Sequence, residues 1–208
     1  MKLLILGPTG PTGLQIVNQA LEQNHEVTAF ARTPSKLAIE HKNLRVVKGD
    51  IRDRNALISA VHGQDAVMST LGVGKKLKAN DLITTAVSNI IPVMEAEKVK
   101  RLIFLSAFGI GKTFKQANLL QKFFFRTFLT SIYGDKNEAD KIIHQSPLDW
   151  TLVCPVVLTN APFIGNYEVG EKMEMKGMPT IPRADVAHFM LTQLASKTFL
   201  KKTVILKS

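Results

Sequence analysis

The segment Gly7-Pro8-Thr9-Gly10-Pro11-Thr12-Gly13 decides the fold through what stands on either side of it. Residues 2–6 before it form a short apolar run that predicts a strand, and residues 12–23 predict a helix. Glycines at this spacing allow a tight turn and let a pyrophosphate approach backbone N–H groups at the positive end of the helix. A glycine loop placed between a strand and a helix therefore predicts a dinucleotide-binding turn.

The rest of the chain alternates between strand-like and helix-like segments almost to its end. Short runs rich in β-branched residues or leucine predict strands at residues 2–6, 26–31, 44–48, 66–69, 101–105, 150–153 and 203–206. Helix-length segments lie between them, at residues 12–23, 54–61, 82–97, 135–144 and 184–194. The early strands lack apolar/polar alternation, which is typical of a parallel sheet covered on both faces. The pattern predicts an α/β fold, a doubly wound and mainly parallel sheet with helices on both faces.

The composition excludes several classes of protein. The chain has 208 residues, of which 45% are hydrophobic and 21% charged, unlike a disordered or fibrous chain. This length predicts a single domain over residues 1–208 with a sizeable core. Cys154 is the one cysteine, so a disulfide framework and a cysteine-based metal site are excluded. The five histidines show no metal-ligand spacing, and we expect no metal.

The formal net charge of +10 favours anionic partners, such as a phosphorylated cofactor, nucleic acid or an acidic membrane surface. No nucleic-acid recognition motif is visible, so we expect no nucleic-acid partner. The N-terminus does not resemble a signal peptide, and no apolar stretch reaches the roughly 20 residues that a membrane-spanning helix needs. We therefore expect a soluble, cytoplasmic protein.

Basic residues follow the second predicted strand, at the point where dinucleotide-binding proteins select their cofactor. An Asp or Glu about 20 residues after the glycine loop binds the ribose 2′-hydroxyl of NAD. This chain has Arg32 there instead, with Lys36 close behind. A guanidinium and an ammonium group suit a 2′-phosphate, so the pattern favours NADP(H) over NAD(H).

Two further loops follow predicted strands. Asp50 comes after the third strand and can bind the adenine amino group, while Ile51 can pack on the adenine ring. Leu71, Gly72 and Val73 come after the fourth strand and leave room for the ribose and phosphates. Because ligand crevices lie at the carboxyl ends of parallel strands, these loops are expected to converge on the glycine loop.

The chain resembles the atypical short-chain dehydrogenase/reductase superfamily, in particular NAD(P)H-binding proteins like biliverdin-IXβ reductase/flavin reductase and the NmrA-like group. The stretches that carry the resemblance span nearly the whole chain: the glycine loop, Arg32-Thr33, Gly49-Asp50-Ile51, Gly63-Gln64-Asp65-Ala66-Val67, Arg101-Leu102-Ile103-Phe104-Leu105-Ser106, Leu148-Asp149-Trp150-Thr151, Cys154-Pro155 and Arg183-Ala184-Asp185-Val186-Ala187. We expect a Rossmann-like sheet ordered 3-2-1-4-5-6, with the C-terminal strand added at its edge.

The resemblance also implies roles for individual residues. Those expected at the pyrophosphate are Gly7, Thr9, Gly10, Pro11, Thr12 and Gly13, although Pro11 lacks a backbone N–H. Thr33 is expected to join Arg32 and Lys36 at the 2′-phosphate. Those expected around the nicotinamide are Ser106, Cys154, Pro155 and Val156.

Ser106 and Tyr133 are the candidates for catalysis. Ser106 ends the fifth strand, where its hydroxyl could bind the nicotinamide amide or the substrate. Tyr133 stands three residues before Lys136, whereas typical members carry Tyr-x-x-x-Lys, in which the lysine lowers the tyrosine pKa for proton transfer. Gly134 indicates that the helix begins after Tyr133, which weakens the pair as a dyad. Val157 stands where the flavin/biliverdin reductases carry a histidine, which argues against biliverdin as the specific substrate.

The segment 112–133 interleaves basic residues with much of the aromatic content of the chain. Its large apolar residues are Phe114, Leu119, Leu120, Phe123, Phe124, Phe125, Phe128, Leu129 and Ile132. Three interpretations compete: a lid over an apolar substrate pocket, a face for homo-oligomer formation, and an amphipathic segment on an acidic membrane. We favour the lid, place self-association second and membrane contact last.

The function that these features favour is NADPH-dependent reduction of a flat conjugated acceptor, such as a flavin or quinone. An apolar or aromatic small molecule of this kind can take its proton from water, so a protein acid is not required. The alternative is a non-catalytic NADP(H)-binding sensor that acts through a protein partner, which the missing acid/base groups favour. An isomerase or dehydratase that uses NAD(P) without net turnover is a third reading.

Overall fold

The computed structural model describes residues 1–72, 81–118, 121–122 and 130–208. Its strands are β1 (Lys2–Leu6), β2 (Glu26–Ala31), β3 (Leu44–Lys48), β4 (Ala66–Ser69), β5 (Arg101–Leu105), β6 (Asp149–Pro155), β7 (Val157–Thr159), β8 (Glu168–Gly170), β9 (Thr180–Pro182) and β10 (Lys202–Lys207). Its helices are α1 (Pro11–Glu22), α2 (Arg54–Val61), α3 (Leu82–Ala96), α4 (Thr130–Gln145) and α5 (Arg183–Thr192). Short 3₁₀ turns lie at Pro34–Lys36 and Gly111–Gln116.

Eight of these strands form one sheet, in the order β3-β2-β1-β4-β5-β6-β10-β8. Neighbouring strands are parallel except for β10 and β8, which are antiparallel. The first six strands confirm the predicted order 3-2-1-4-5-6. Strands β7 and β9 form a separate parallel pair.

The C-terminal strand β10 is added beside β6, as predicted, but β8 follows it, so β10 is not the outermost strand of the sheet. It pairs with β6 on one side and with β8 on the other, where Leu206 lies opposite Val169. Strand β8 has only three residues, which is too short to produce a periodic signal in the sequence. The same reason explains why β7 and β9 were not predicted.

Helix α4 begins at Thr130, five residues before its predicted start, so Gly134 lies inside it. A Cβ atom at Gly134 would meet no atom of the described residues within 4 Å, so no close approach among them requires the glycine. A glycine inside a helix costs roughly 1 kcal/mol relative to alanine, which does not end a helix of 16 residues. Tyr133 and Lys136 therefore lie on the same helix.

The sheet separates two layers of core, because successive side chains of β1 point to opposite faces. Leu3 and Ile5 pack with α1 and α5, whereas Leu4 and Leu6 pack with α2, α3 and α4. All four side chains are at most 1% exposed. Helices therefore cover both faces of the sheet, as predicted. Within the described part of the chain, no helix combines the length and the apolar character that crossing a bilayer would require.

The N-terminus of α3 is capped by a side chain from α4. Asp135 accepts hydrogen bonds from the backbone N–H groups of Ile83 at 2.9 Å and Thr84 at 2.9 Å, and Thr84 Oγ1 donates to its carbonyl. The residue that precedes α3, Asp81, makes no side-chain cap and has a left-handed backbone with φ +53°. A carboxylate 51 residues away in the chain thus supplies what a local N-cap ordinarily supplies.

Replacing Asp135 with alanine is expected to lower the free energy of unfolding by about 2 kcal/mol, the upper range for an N-cap, because two buried N–H groups lose their acceptor. Urea unfolding of Asp135→Ala measures this loss. Glu138→Ala is the control, since Glu138 lies exposed on the same helix and its partners, Lys141 and Asn137, are surface side chains of that helix. A loss no larger than that of the control would contradict the capping role.

Arg101 ties β5 to the C-terminal end of α5. Its guanidinium donates to the carbonyl of Gln193 through Nε at 3.1 Å and Nη2 at 2.8 Å. It also donates to the carbonyl of Asp149 at 2.7 Å and to Thr151 Oγ1 at 2.9 Å. Burial lowers the pKa of Arg101 to about 10, so it stays charged at neutral pH. The positive charge at the end of α5 also complements the helix dipole.

Candidate functional site

A cleft of about 520 Å³ lies at the carboxyl ends of β1, β2 and β4. The predicted residues that line it are Gly7, Thr9, Gly10, Pro11, Arg32, Lys36, Ile51, Leu71 and Gly72. Phe30, Thr70 and Leu82, which were not predicted, complete much of its wall. The structure thus brings together loops that are separated by up to 65 positions in sequence, at the edge where a doubly wound sheet binds ligands.

The glycine loop is shaped by two glycines that no other residue could replace without strain. Gly7 has φ +80°, a left-handed conformation that favours glycine. At Gly13 a Cβ atom would lie 2.1 Å from the carbonyl oxygen of Gly7 and 2.8 Å from Thr70 Oγ1. Thr70 Oγ1 in turn donates to the Gly7 carbonyl at 3.1 Å. Helix α1 can therefore approach the end of β1 closely only because residue 13 has no side chain.

The first turn of α1 leaves backbone donors for an anion. Gly10 is the N-cap and Pro11 the first helical residue, so the missing N–H of Pro11 is one that would have no partner within the helix. The N–H groups of Thr12 and Gly13 belong to the same turn and have no acceptor within the helix. Thr12 is 5% exposed, whereas Thr9 stands exposed in the cleft. The loop therefore fits a pyrophosphate. Thr12 and Gly13 would bind it through their backbone N–H groups and not through side chains.

Arg32 and Lys36 form a basic lip on the cleft, and both are exposed. The 3₁₀ turn at Pro34–Lys36 carries Lys36 back towards Arg32, because its N–H donates to the carbonyl of Thr33 at 3.2 Å. Thr33 is exposed, makes no side-chain cap and is not part of the cleft wall. Two of the three residues predicted at the 2′-phosphate are therefore placed together.

The predicted adenine residues have different surroundings. Ile51 is 5% exposed and lines the cleft. The Asp50 carboxylate instead accepts a hydrogen bond from the N–H of Arg52 at 2.9 Å, within its own turn, and is not part of the cleft wall. Leu71 and Gly72 line the cleft, whereas Val73 lies outside the described residues.

A glycine loop, a basic lip and an apolar wall at this edge agree with the comparison with known families. A family model described as NAD(P)H-binding matches residues 7–197. The chain belongs to the NAD(P)H-binding family. This membership confirms the predicted resemblance and an NAD(P)H cofactor. The preference for NADP(H) over NAD(H) stays a prediction.

Individual relatives of this NAD(P)H-binding protein differ in what they do. The chain is 24% identical over 213 residues to the photosystem II assembly factor Ycf39 of Synechocystis, with 98% of this chain and 61% of that protein covered. A short-chain dehydrogenase/reductase from Veillonella parvula, solved in complex with NADP, has a TM-score of 0.84 at 19% identity, covering 100% of this chain and 94% of the other. ChuY, an anaerobillin reductase from Escherichia coli O157:H7, has a TM-score of 0.81 at 22% identity, covering 100% and 97%. At these identities the two structures show a shared fold.

The residues predicted at the nicotinamide lie deeper than expected. Ser106 is 3% exposed, and its Oγ donates to Asp140 Oδ2 at 2.8 Å. Cys154, Pro155 and Val156 are all buried at the end of β6. Burial raises the pKa of the Cys154 thiol, which therefore stays protonated at neutral pH. Contact of these residues with the cofactor stays a prediction.

Tyr133 and Lys136 share helix α4, and each donates a hydrogen bond to a different backbone carbonyl. Tyr133 Oη donates to the carbonyl of Phe108 at 2.9 Å, and Lys136 Nζ donates to the carbonyl of Leu105 at 3.0 Å. Burial raises the pKa of Tyr133, and burial lowers that of Lys136. A tyrosine with a raised pKa is a weak proton donor, the opposite of a lysine-activated phenol.

The structure describes only part of the aromatic segment 112–133. Leu119, Leu120 and residues 123–129 lie outside the described residues, and with them most of the predicted lid. Phe114 packs against the core beside Phe108, and Lys122 Nζ lies 6.0 Å from the centre of its ring. The lid, self-association and membrane contact all stay predictions.

Asp140 is the functional candidate that the sequence analysis missed. It is 5% exposed, and burial raises its pKa to about 6, against the opposing hydrogen bond from Ser106 and the charge of Lys136. One signal was available: Asp140 stands beside Ala139 and three residues before Ile143, on the apolar face of a helix. A carboxylate on such a face is uncommon unless it is paired.

A wider groove of about 1000 Å³ shares no wall residue with the cleft. It runs past the starts of β6 and β10, and exposed lysines, among them Lys112, Lys115 and Lys172, form much of its rim. Exposed lysines of this kind are typical of a solvated surface. The smaller cleft, with its glycine loop and buried wall, is therefore the better candidate for the cofactor.

Proposed function

We propose that this protein is an NADPH-dependent oxidoreductase that passes hydride to a flat conjugated acceptor, such as a flavin or a quinone. The observation that carries the proposal is the cleft in which the glycine loop meets the basic lip of Arg32 and Lys36. Two cations at the end of β2 suit a 2′-phosphate, whereas the carboxylate that would bind a 2′-hydroxyl is missing there.

The candidate proton donors support an acceptor that needs no acid from the protein. The Tyr133 hydroxyl is engaged by the Phe108 carbonyl, and the Ser106 hydroxyl by Asp140. When bound, the cofactor supplies a hydride, and an acceptor such as a flavin takes the accompanying proton from water. The chain's own residues hold the pyrophosphate and 2′-phosphate and form the apolar wall.

Apolar residues after β5 and β6 support an apolar or aromatic acceptor. Phe108 and Ile110 follow β5 and are each 3% exposed, so they belong to the core beneath this end of the sheet. Val157, at the start of β7, is 47% exposed. A flat ring system gains most of its binding free energy from surfaces of this type.

The direct test is NADPH oxidation by the purified protein with and without excess FMN, after subtraction of the uncatalysed rate. Saturable turnover that weakens when NADH replaces NADPH supports the proposal. Tight NADPH binding without NADPH oxidation, in the presence of either FMN or a soluble quinone, contradicts it.

Replacing Arg32 with alanine is expected to lower kcat/KM for NADPH about 10- to 100-fold, since a charged hydrogen bond to the 2′-phosphate is lost. The value for NADH, which has no 2′-phosphate, is expected to change little. Arg45→Ala is the matched control, because Arg45 is an exposed arginine on β3 outside the cleft. An unchanged NADPH to NADH ratio in Arg32→Ala would show that the lip does not select the cofactor.

The second candidate function is a non-catalytic NADP(H)-binding sensor that acts through a protein partner. The inward hydrogen bonds of Ser106 and Tyr133 favour it, since neither hydroxyl is offered to the cleft. The similarity to an assembly factor, Ycf39, is consistent with it. NADPH that binds in the micromolar range but is never consumed, with any acceptor, would favour the sensor over the reductase.

A further inference from the structure

A buried polar cluster lies between α4 and the ends of β5 and β6. It consists of Ser106, Lys136, Asp140 and Cys154. Ser106 Oγ donates to Asp140 Oδ2, while Asp140 Oδ1 is buried and has no hydrogen-bond partner among the described residues. A buried carboxylate oxygen without a donor is costly, so its presence indicates a role beyond packing.

The cluster stands next to the cleft rather than in a remote part of the core. Ser69 of β4 lies opposite Phe104 of β5. Ser106 stands two residues beyond Phe104, as Leu71, which lines the cleft, stands two residues beyond Ser69. Ser106 therefore follows its strand at the same edge of the sheet as the cleft.

Asp140 is surrounded by titratable or hydrogen-bonding groups from three elements. Those acting on its carboxylate are Ser106 from the end of β5, Cys154 from β6 and Lys136 from α4. His144 of the same helix bonds the backbone of Asp140 rather than its carboxylate. Ser106 and Lys136 favour the ionised carboxylate, and burial favours the protonated one. Burial prevails and raises the pKa of Asp140 to about 6, so both forms are populated near neutral pH.

We propose that Asp140 is a positioning residue that sets the direction of the Ser106 hydroxyl. The ionised carboxylate accepts the hydroxyl hydrogen and holds it away from the cleft. The protonated carboxyl becomes a donor to Ser106 Oγ, and the hydroxyl hydrogen is then free to bind a ligand atom at the nicotinamide end. The inference deepens the proposed function and rests on it for the identity of that ligand.

Asparagine at position 140 imitates the protonated form. Its Nδ2 donates to Ser106 Oγ in place of the carboxyl O–H, and it does not titrate. Asp140→Asn should therefore hold Ser106 in the outward direction at every pH. Ser106→Ala removes the hydroxyl and leaves Asp140 free to titrate without it.

The experiment measures kcat/KM for riboflavin at saturating NADPH between pH 5 and pH 8 in the wild type, Asp140→Asn and Ser106→Ala. Riboflavin has no phosphate, and the ionisation of the cofactor phosphate is common to all three proteins. We expect the wild type to gain about tenfold as the pH falls through about 6, the contribution of one hydrogen bond. Asp140→Asn is expected to have a high kcat/KM and Ser106→Ala a low one. Neither variant should show the rise in kcat/KM as the pH falls through about 6.

The proposal would be overturned if kcat/KM for riboflavin still rose as the pH fell through about 6 in Asp140→Asn. The same rise in Ser106→Ala would also overturn it. A merely structural role for Asp140 would change stability and leave the pH profile in place.

A second measurement separates this inference from the proposed function. If none of the three proteins turns over riboflavin, the reductase proposal fails, and the hydrogen bond is tested by thermal unfolding. An acid whose pKa is raised on folding destabilises the protein as the pH rises from its unfolded pKa to its folded pKa. The Tm of the wild type relative to Asp140→Asn should therefore fall between about pH 4 and about pH 6 and stay level above. In Ser106→Ala the fall should extend to higher pH, and a Tm difference independent of pH would overturn the inference.

Discussion

Replacing Gly13 with alanine is expected to reduce NADPH affinity more than about 100-fold, a loss of roughly 3 kcal/mol. The new Cβ atom would lie 2.1 Å from the carbonyl oxygen of Gly7 and 2.9 Å from its carbonyl carbon. Both are backbone atoms, so no side-chain rotation can relieve the overlap. Either α1 moves away from β1 or the loop opens, and in both cases the N–H groups proposed to bind the phosphates lose their geometry.

The same substitution is expected to lower the free energy of unfolding by about 2 kcal/mol, which is typical of overpacking in a close contact. Fluorescence titration with NADPH and urea unfolding measure the two effects. Gly134→Ala is the matched control, because its Cβ would meet no atom within 4 Å and the position is helical. That variant is expected to keep its NADPH affinity and gain up to about 1 kcal/mol. Equal affinities in the two variants would mean that the glycine loop does not bind the cofactor.

Replacing Arg101 with methionine is expected to lower the free energy of unfolding by about 3 kcal/mol. Four hydrogen bonds from one guanidinium disappear, and the carbonyl at the end of α5 loses both of its donors. A partly buried carbonyl without a donor destabilises the fold by more than its hydrogen bond contributes, because it has also lost its hydrogen bond to water. Urea unfolding measures the loss.

Arg101→Lys is the control that separates charge from geometry. Lysine keeps the positive charge near the end of α5 but has one donor group, which cannot reach the same set of acceptors. It is expected to recover about a third of the lost stability. NADPH affinity should be unchanged in both variants, since Arg101 begins β5 and the cleft lies at the other end of the sheet. Full recovery by lysine would mean that only the charge matters.

The parts of the fold that could be predicted from the sequence are those that depend on residues close together in the chain. The glycine loop, Arg32 and Lys36 are local to the ends of β1 and β2, and the parallel sheet follows from runs of buried residues such as Leu3 to Leu6. Their positions in the cleft follow from the rule that crevices lie at the carboxyl ends of strands. No contact between distant residues was needed to predict them.

The parts that could not be predicted depend on pairings across the chain. Asp140 lies 34 residues from Ser106, and Asp135 lies 52 residues from the N–H of Ile83 that it caps. The residues next to Asp140 and Asp135 in the sequence do not predict which distant group each carboxylate binds. Gly134 misled the prediction because propensity is a small energy, which tertiary packing of α4 outweighs.

The cap that α4 places on α3 makes the two ends of the candidate site thermodynamically linked. Asp135 fixes the first turn of α3, and Leu82 in that turn forms part of the cofactor cleft. A ligand that orders Leu82 therefore also stabilises the docking of α4, the helix that carries Tyr133 and Asp140. Linkage is reciprocal, so if a ligand in the cleft stabilises the docking of α4, undocking of α4 is expected to weaken the affinity for that ligand. The cleft and helix α4 are therefore expected to respond to ligand binding as one cooperative unit.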